Sequence, residues 1–375
     1  PPDSTHIEEE GVLIDNTQLM SKGRLEEAAA RALLASGKYP CRNIDQNMAD
    51  LKAQVAANET GRQALLKVCE SYGADVVTAY MGHVQDNAAE SVARVIAELS
   101  GGQFTYHMDE GQVIQVAVSV DRDARRATVD FTGTAAQHSG NYNAPFAVCR
   151  AVVLYVFRTL VGSNIPLNEG CLAPITIIAP DGSMLNPSYP AAVIAGNTEV
   201  SQAACNALFG ALGVVASSQA TMNNFIWGNA DFQNYETIAG GTGAGPGFVG
   251  CDAVQSHMTN TRMTDPEILE KRFPVRLNAF GIADGSGGEG QWRGGHGAYR
   301  KMTFLVPVTV TTLCSHRVVP PFGAAGGGDG MVGENAVVLP DGTRSVMRGN
   351  DEVTLPAGGA FEMRTPGGGG WGMMG

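Results

Sequence analysis

The sequence predicts an α+β fold in which three kinds of segment follow one another along 375 residues. Ala, Leu and Glu with helical spacing dominate residues 17–99, which indicates an N-terminal helical segment. Alternating apolar and polar residues begin near residue 103 and predict a mixed α/β core. Residues 275–365 hold β-branched runs between glycine turns, typical of a mostly β C-terminal region. The three expected regions, all within one larger domain, are 1–102, 103–274 and 275–375.

In the first region, glycine, proline and polar caps delimit the predicted helices. One helix is expected over 24–36, before a glycine and a proline. A second begins at a cap provided by Asp45 and is interrupted at Gly61. A third starts near Ala74, and a fourth spans 87–99 with apolar residues on one stripe.

Residues 1–16 are predicted to be extended and contain an acidic run from Glu8 to Glu10. Adjacent glutamates are typical of a solvated surface. His6 beside them keeps a metal-ligand role open. The sequence therefore allows a divalent metal without indicating its identity.

Strands and helices alternate in the second region. Residues 113–120 and 127–132 are predicted to form a hairpin, and 175–178 a further strand. Helices are expected over 146–160 and over 201–217, the second built from small residues that allow close packing.

Composition excludes several classes of function. Acidic residues outnumber basic ones by 37 to 25, giving a net charge of −12, and no basic stripe exists. Nucleic acids and anionic membranes are therefore not expected partners. Seven cysteines lie apart without a C-x-x-C pair, which predicts reduced thiols and a cytoplasmic location. No apolar run approaches the roughly 18 residues that span a bilayer.

The chain lacks the usual phosphate-binding motifs. No G-x-x-x-x-G-K-[ST] loop is present. Residues 285–290 match G-x-G-x-x-G by count, but Gln291-Trp292-Arg293 follows where a dinucleotide-binding helix should begin. The chain therefore has no Walker A loop and no dinucleotide-binding fingerprint.

Polar residues concentrate between residues 196 and 262, which makes this stretch the candidate site. Gly196 and Asn197 precede a predicted helix, whose first N–H groups favour an anion. Glycines at 241, 243 and 245 can turn their N–H groups toward an anion. The residues expected to bind substrate or an anion are Gly196, Asn197, Gln202, Gly241, Gly243, Gly245 and, from an earlier polar loop, Asn143.

A second group in the same stretch offers acid–base chemistry. A histidine flanked by Asn, Thr and Arg combines a titratable group, neutral donors and a fixed cation. The candidate catalytic residues are His257, Asn260, Arg262 and Asp252. An alternative interpretation is that the glycines only form turns and His257 is a hydrogen-bonded structural histidine.

Short motifs follow one another along the whole chain. They include PPDST at 1–5, YMGH at 80–83, GNYNAP at 140–145, NEGCLAP at 168–174, GGTGAGP at 240–246, HMTNTR at 257–262 and TPGGGGWG at 365–372. Together these motifs resemble the hydantoinase B/5-oxoprolinase family. YMGH and the TDPEILE motif at 264–270 are more similar to ATP-dependent 5-oxoprolinases than to hydantoinases.

The resemblance implies that 5-oxo-L-proline, ATP and water give L-glutamate, ADP and phosphate, a reaction of glutathione metabolism. It implies that ATP binds a hydantoinase A-like partner, while this chain opens the ring of a small cyclic amide. It also implies a homo-oligomer. From the chemistry of this reaction and the positions of the residues, we expect the anion sites to hold a phosphorylated intermediate, His257 to act as acid or base, and Asn260 and Arg262 to orient the substrate carboxylate.

The chain also departs from the family pattern. Family members have a preceding segment with His and Asp motifs that resemble metal sites, so we expect this chain to be the C-terminal part of a longer polypeptide. His296 stands where the family usually has Asp in an R-G-G-D-G motif. The alternatives are hydantoin hydrolysis, a subunit of an ATP-dependent ketone carboxylase, and a non-catalytic scaffold for the partner.

Overall fold

The computed structural model describes residues 3–375 and confirms the α+β class. Pro1 and Pro2 of the predicted extended segment lie outside the described residues. Within that segment a short 3-10 turn forms at Ile7–Glu9. A two-stranded hairpin and three helices follow: β1 (Met20–Ser21), β2 (Arg24–Leu25), α1 (Glu27–Leu34), α2 (Ile44–Tyr72) and α3 (Ala74–Glu98).

The first region has fewer and longer helices than predicted. α2 continues through Gly61, because one glycine costs a helix only about 1 kcal/mol relative to alanine and this helix is 29 residues long. Asn43 is the cap of α2 and accepts the Gln46 N–H at 3.1 Å, whereas Asp45 pairs with Arg31 at 2.7 Å. The third and fourth predicted helices are the single helix α3.

α2 and α3 form a helical hairpin that is only partly covered. The C-terminal half of α3 buries Val92 and Ile96 in the main core. Near the turn between the helices, Tyr72, Val76 and Tyr80 are exposed. The end of the hairpin therefore adds little to the core of this chain.

A mixed sheet and two helices form the first core with α3. The sheet has the order β3-β4-β5-β6, antiparallel except for the parallel pair β5 and β6. The predicted hairpin, strand and first helix of this region are confirmed. The elements are β3 (Gly102–His107), β4 (Val113–Asp121), β5 (Arg126–Asp130), α4 (Phe146–Thr159), β6 (Ile175–Ile178) and α5 (Ser201–Leu212).

α5 differs from its prediction at both ends. It stops at Leu212, where Gly213 takes the left-handed conformation (φ 62°) that commonly terminates helices. At its other end it continues a π-helical turn at Gly196–Val200, and helical residues begin at Ile194. Ten of the twelve residues of α5 are buried, as its small side chains allow.

The second core lies between two antiparallel sheets. Their strand orders are β14-β11-β7-β8 and β13-β12-β15-β10-β9. Phe225, Trp227, Phe304 and Phe361 fill the space between them. The elements are β7 (Asn224–Gly228), β8 (Gln233–Thr237), α6 (Pro266–Arg272), β9 (Val275–Ala283), β10 (Gly297–Phe304), β11 (Val308–Leu313), β12 (Glu334–Val338), β13 (Arg344–Met347), β14 (Asn350–Leu355) and β15 (Ala360–Arg364). Because β7 pairs with β11, the predicted division at 274/275 runs through a sheet.

Glycine-rich segments from four parts of the chain pack backbone against backbone. We call them the glycine layer, made by residues 240–245, 286–297, 323–330 and 365–372. Within the layer Gly295 N–H donates to Thr242 O at 2.9 Å, and Gly368 N–H to Gly295 O at 2.8 Å. A side chain on Gly241 would place its Cβ 1.9 Å from the Gly295 oxygen. Glycine is therefore required here for close approach of backbones.

No helix within residues 3–375 combines the length and apolarity needed to cross a bilayer.

Candidate functional site

The predicted glycine anion site is occupied by the protein's own backbone. The N–H groups of Gly241, Thr242 and Ala244 donate to carbonyl oxygens at 3.0–3.1 Å, and that of Gly245 donates to Phe248 O at 3.2 Å. Gly241 approaches the backbone of Gly295 and Gly368, Gly243 approaches that of Ala216, and Gly245 lies against the Phe248 ring. These N–H groups are not directed toward a ligand, which corrects the expectation from their sequence.

The helix start predicted to hold an anion is also in a different place. Gly196 is the first residue of the π-helical turn, but its N–H donates to Val193 O at 2.9 Å and does not face a ligand. The free N–H groups belong to Val193 and Ile194, and the Glu10 carboxylate accepts both at 2.9–3.0 Å. One residue of the predicted solvated acidic run is therefore the anion at this helix start.

Asn143 and Gly196 pack against each other, and both residues have a structural role at this contact. Asn143 is buried, accepts the His138 N–H at 2.7 Å and donates to Ala192 O at 2.9 Å. A Cβ on Gly196 would lie 2.1 Å from the Asn143 oxygen. Asn143 thus holds its loop in place, while Asn197 is exposed on the other side of the turn.

Asp252 is bound to the glycine layer, apart from His257. It accepts the His296 N–H at 2.7 Å and pairs with Arg293 at 3.0 Å. Partial burial tends to raise the pKa of Asp252, but these two contacts hold it below its ordinary value. Arg262 is exposed and forms no ion pair within the part of the chain that the structure describes.

His257 lies between α4 and α5 with both ring nitrogens hydrogen-bonded. Asn206 Nδ2 donates to the Ser218 hydroxyl at 3.2 Å, and Asn206 Oδ1 accepts the Ser218 N–H at 3.1 Å. That orientation makes His257 Nε2–H the donor to Asn206 Oδ1, over 3.0 Å. His257 Nδ1 therefore accepts the Tyr155 hydroxyl, at 3.3 Å. The Phe209 ring packs with its centroid 5.2 Å from that of the imidazole.

The surroundings of His257 set its protonation and its backbone. Burial lowers the pKa of His257 to about 4, so the ring is neutral near pH 7. Its φ of 56° lies in the left-handed region, which is uncommon outside glycine and is maintained by surrounding contacts. A neutral ring with a fixed tautomer can accept a proton at Nδ1 but does not retain it.

A pocket of about 550 Å³ opens beside His257 and Asn260. Leucine, methionine and alanine side chains form much of its wall, and an ion pair between Arg150 and Glu169 lies on one side at 2.8 Å. Thr259, also on the wall, is buried, and its hydroxyl has no partner among residues 3–375. The pocket thus combines an apolar surface with a cation, an amide and a free hydroxyl, as small-molecule sites do.

Gln202 is buried on α5 and reaches the segment before His257. Its Nε2 donates to Ser256 O at 3.2 Å. Its Oε1 and the Ser256 hydroxyl have no hydrogen-bond partner in the described chain. Of the predicted residues, the structure therefore brings together His257, Asn260 and Gln202, but not Asp252 or the glycines.

Glu199 is the residue whose importance the sequence did not reveal. It is fully buried in the π-helical turn, and such turns occur often at functional sites. Its Oε1 accepts Asn224 Nδ2 at 2.9 Å and the Met222 N–H at 3.2 Å, and the hydroxyls of Thr221 and Ser315 lie beside the carboxyl. Burial raises the pKa of Glu199 to about 7, although hydrogen bonds from Thr221, Ser315 and Met222 and the charge of Arg317 act to lower it.

This raised pKa predicts a pH-dependent stability. Between the ordinary pKa of 4.5 and about 7, folded Glu199 keeps a proton that the unfolded chain has lost, so its contribution to stability disappears as pH rises through this window. Wild type should therefore lose about 3 kcal/mol of unfolding free energy between pH 4 and pH 8. Glu199→Gln has no carboxyl to titrate at this position and should not show that loss. Urea unfolding of both proteins across this range measures the difference, and a difference that does not change with pH would contradict the raised pKa.

The described residues contain no group of three or more His, Cys, Asp and Glu side chains placed to hold a metal ion. His6 lies at the 3-10 turn, where the Glu9 carboxylate accepts its backbone N–H at 3.3 Å.

Sequence signals for the missed residues were weak but present. In the sequence, Glu199 is an acidic residue directly before a helix of small apolar side chains. Burying a charge there is costly unless it has partners, so its presence is a signal. Asn206 lies seven residues further on the same helix. Tyr155 gave no signal, because one tyrosine in an apolar helix is normal.

Residues 1–374 match the hydantoinase B/oxoprolinase family. The chain is 42% identical to a protein described as 5-oxoprolinase 1 from Arabidopsis thaliana, over 99% of this chain and 31% of that protein. It is 40% identical to a 5-oxoprolinase from Dictyostelium discoideum, over 99% of this chain and 30% of that protein. This chain therefore spans about a third of the length of these relatives.

The same architecture occurs in a solved structure. An ATP-dependent caprolactamase from Pseudomonas jessenii superposes with a TM-score of 0.85, at 22% identity, over 99% of this chain and 68% of the other. At this level of identity the similarity concerns the fold.

Proposed function

Because this chain belongs to the hydantoinase B/oxoprolinase family, we propose that it is the ring-opening part of an ATP-dependent 5-oxoprolinase. The observation that supports this most is identity of 40–42% to 5-oxoprolinases across 99% of the chain. The reaction converts 5-oxo-L-proline, ATP and water into L-glutamate, ADP and phosphate. We place the enzyme in glutathione metabolism, in the cytoplasm, as a homo-oligomer.

The pocket beside His257 is the proposed position of the lactam. Its volume of about 550 Å³ is ample for a five-membered ring, and its apolar wall suits the ring methylenes. Arg150 offers a cation to the substrate carboxylate, and Asn260 offers an amide to the lactam group. His257 is the proposed acid–base residue. Its Nδ1 faces Tyr155, and both residues form part of the pocket wall.

ATP is proposed to act through a hydantoinase A-like partner or domain. A lactam is stabilised by amide resonance, so its opening to an amino acid needs coupling to a second reaction. Phosphorylation of the amide oxygen by the partner would make the carbonyl carbon a better electrophile. This chain would then orient water and move protons. The proposal allows a divalent metal without assigning its identity or its ligands.

The test uses the complete enzyme with its nucleotide-binding part. 5-Oxoproline, hydantoin, a small ketone with bicarbonate, and no second substrate are compared while ADP, phosphate and product are measured. We expect ATP consumption with 5-oxoproline to yield equimolar glutamate. ATP turnover only with hydantoin or the ketone would reassign the substrate within the family. Absence of turnover with every substrate would favour a scaffold role.

A further inference from the structure

Most of the helical hairpin formed by α2 and α3 lies outside the two cores. α2 is 29 residues and about 43 Å long, yet Met48 near its start is its one residue buried against the described chain. In α3 the buried residues begin only at Ala88. Helices gain most of their stability by packing an apolar face against other elements. The described chain supplies little such packing to residues 52–87.

One side of the hairpin is apolar and exposed. Six of its large side chains, 40% to 70% exposed, line a single concavity of about 820 Å³. Together they present about 600 Å² of surface, at the upper end for one patch on a monomeric protein, and patches of this size mark interaction sites. We call this surface the hairpin face. It is made by Val68 and Tyr72 of α2 and by Val76, Tyr80, Met81 and Val84 of α3.

The composition of the hairpin face is that of a protein interface. Tyrosine and methionine are enriched in interfaces, and charged residues are depleted in their centres. No charged side chain of residues 3–375 lines the concavity, whose polar members are Gln85 and Asn168. Val76, Tyr80 and Val84 recur every four residues along α3, so they form one stripe that faces outward.

We propose that the hairpin face binds the same face of a second copy of this chain, so that two hairpins form a four-helix bundle. The contact deepens the oligomeric part of the proposed function by giving the homo-oligomer a surface. It does not depend on which substrate the enzyme uses.

The shape of the face favours a second copy as the occupant. In a two-fold contact a patch meets itself, so it needs projections as well as hollows. Tyr72 and Tyr80 project, with 70% and 65% of their surface exposed, beside a concavity that valines also border. Rings of one copy can therefore fill the concavity of the other. The area of about 600 Å² supplies most of the roughly 800 Å² that each partner buries in a stable complex.

The distribution of charge favours the same occupant. Between residues 62 and 85, two basic residues, Arg62 and Lys67, balance two acidic ones, Glu70 and Asp75. The whole chain has a net charge of −12, so two copies repel each other over much of their surfaces. The end of the hairpin is a segment where two copies approach without net repulsion.

The test measures the mass of the complete enzyme by analytical ultracentrifugation, for wild type and Val76→Asp. Val76 is the third residue of α3 and 46% exposed, and an acidic residue at a helix start is compatible with the fold of the single chain. Between two copies it places like charges in an apolar contact. We expect the Kd of the contact to rise at least about 100-fold and the mass at micromolar concentration to fall to half that of wild type.

Ile268→Asp is the matched control. Ile268 is the third residue of α6, is 54% exposed and follows an acidic residue, as Val76 does, but it lies outside the hairpin face. This variant should keep the mass of wild type. A monomeric wild type, or equal masses for wild type, Val76→Asp and Ile268→Asp, would overturn the contact.

Hydrogen exchange supplies a second measurement. Amides of residues 65–84 should exchange at least about tenfold faster in Val76→Asp than in wild type, because the contact no longer protects the hairpin. Faster exchange with an unchanged mass would assign the face to the hydantoinase A-like part and overturn the contact between copies. Tyr80→Glu repeats both measurements if Val76→Asp does not fold. Turnover of 5-oxoproline is assayed separately: its absence in wild type would refute the proposed reaction, while the masses still decide the contact.

Discussion

Replacing His257 by Ala in the complete enzyme is expected to lower turnover of 5-oxoproline about 10²- to 10⁴-fold, the usual contribution of an acid–base residue. The ring accepts the Tyr155 hydroxyl at Nδ1 and donates from Nε2 to Asn206, so the variant removes a proton acceptor held in one tautomer. Since burial lowers the pKa of His257 to about 4, the loss of activity from its own protonation should occur near that pH. Steady-state kinetics across pH measures both effects.

His83→Ala is the control, because His83 is an exposed histidine on α3 and should leave turnover unchanged. Thermal unfolding of both variants separates chemistry from structure. A loss of less than tenfold in a folded His257→Ala enzyme would contradict the acid–base role. It would support the interpretation of His257 as a structural histidine.

Gly241→Ala is expected to destabilise the protein by about 3 kcal/mol or more, the range of severe overpacking. The added Cβ would meet the Gly295 oxygen at 1.9 Å and the Gly368 nitrogen at 2.5 Å. Both obstacles are backbone atoms within the glycine layer, so no side chain can rotate away. Chemical denaturation, or loss of soluble protein on expression, measures the effect.

Gly61→Ala makes the same chemical change in the middle of α2, where nothing lies within 4 Å of the new Cβ. Alanine is the better helix former, so this variant should be stabilised by about 0.5–1 kcal/mol. Equal effects of the two substitutions would show that the glycine layer is less tightly packed than its contacts indicate.

Sequence patterns predicted the elements whose stability is local. The strand at Ile175–Ile178 and the helix beginning at Phe146 have clear periodicity and clear ends. The predicted interruption at Gly61 was wrong, because one glycine lowers helix propensity only slightly. The propensity of the other residues of α2 is enough to keep the helix continuous. The α+β class followed from the order of these segments along the chain.

The site was predicted less well because its determinants are tertiary. His257 and Asn260 are neighbours in sequence and share a pocket. The glycines at 241–245 suggested an anion site, but the N–H groups of Gly241 and Ala244 donate to Pro366 and Gly369, more than 120 residues further along the chain. Glu10 lies about 180 residues before the helix start that it caps, a distance that no local pattern spans.

The glycine layer also has a kinetic consequence. It joins segments near residues 241, 295, 325 and 368, so its hydrogen bonds close loops of tens of residues and connect the middle of the chain with its last ten residues. The entropy cost of closing these loops precedes the stabilising contacts between distant segments. Such topologies therefore fold slowly. Refolding should therefore be limited by assembly of the layer. During synthesis, the segments near residues 241, 295 and 325 lack their hydrogen bonds to residues 365–372 until that segment has been made.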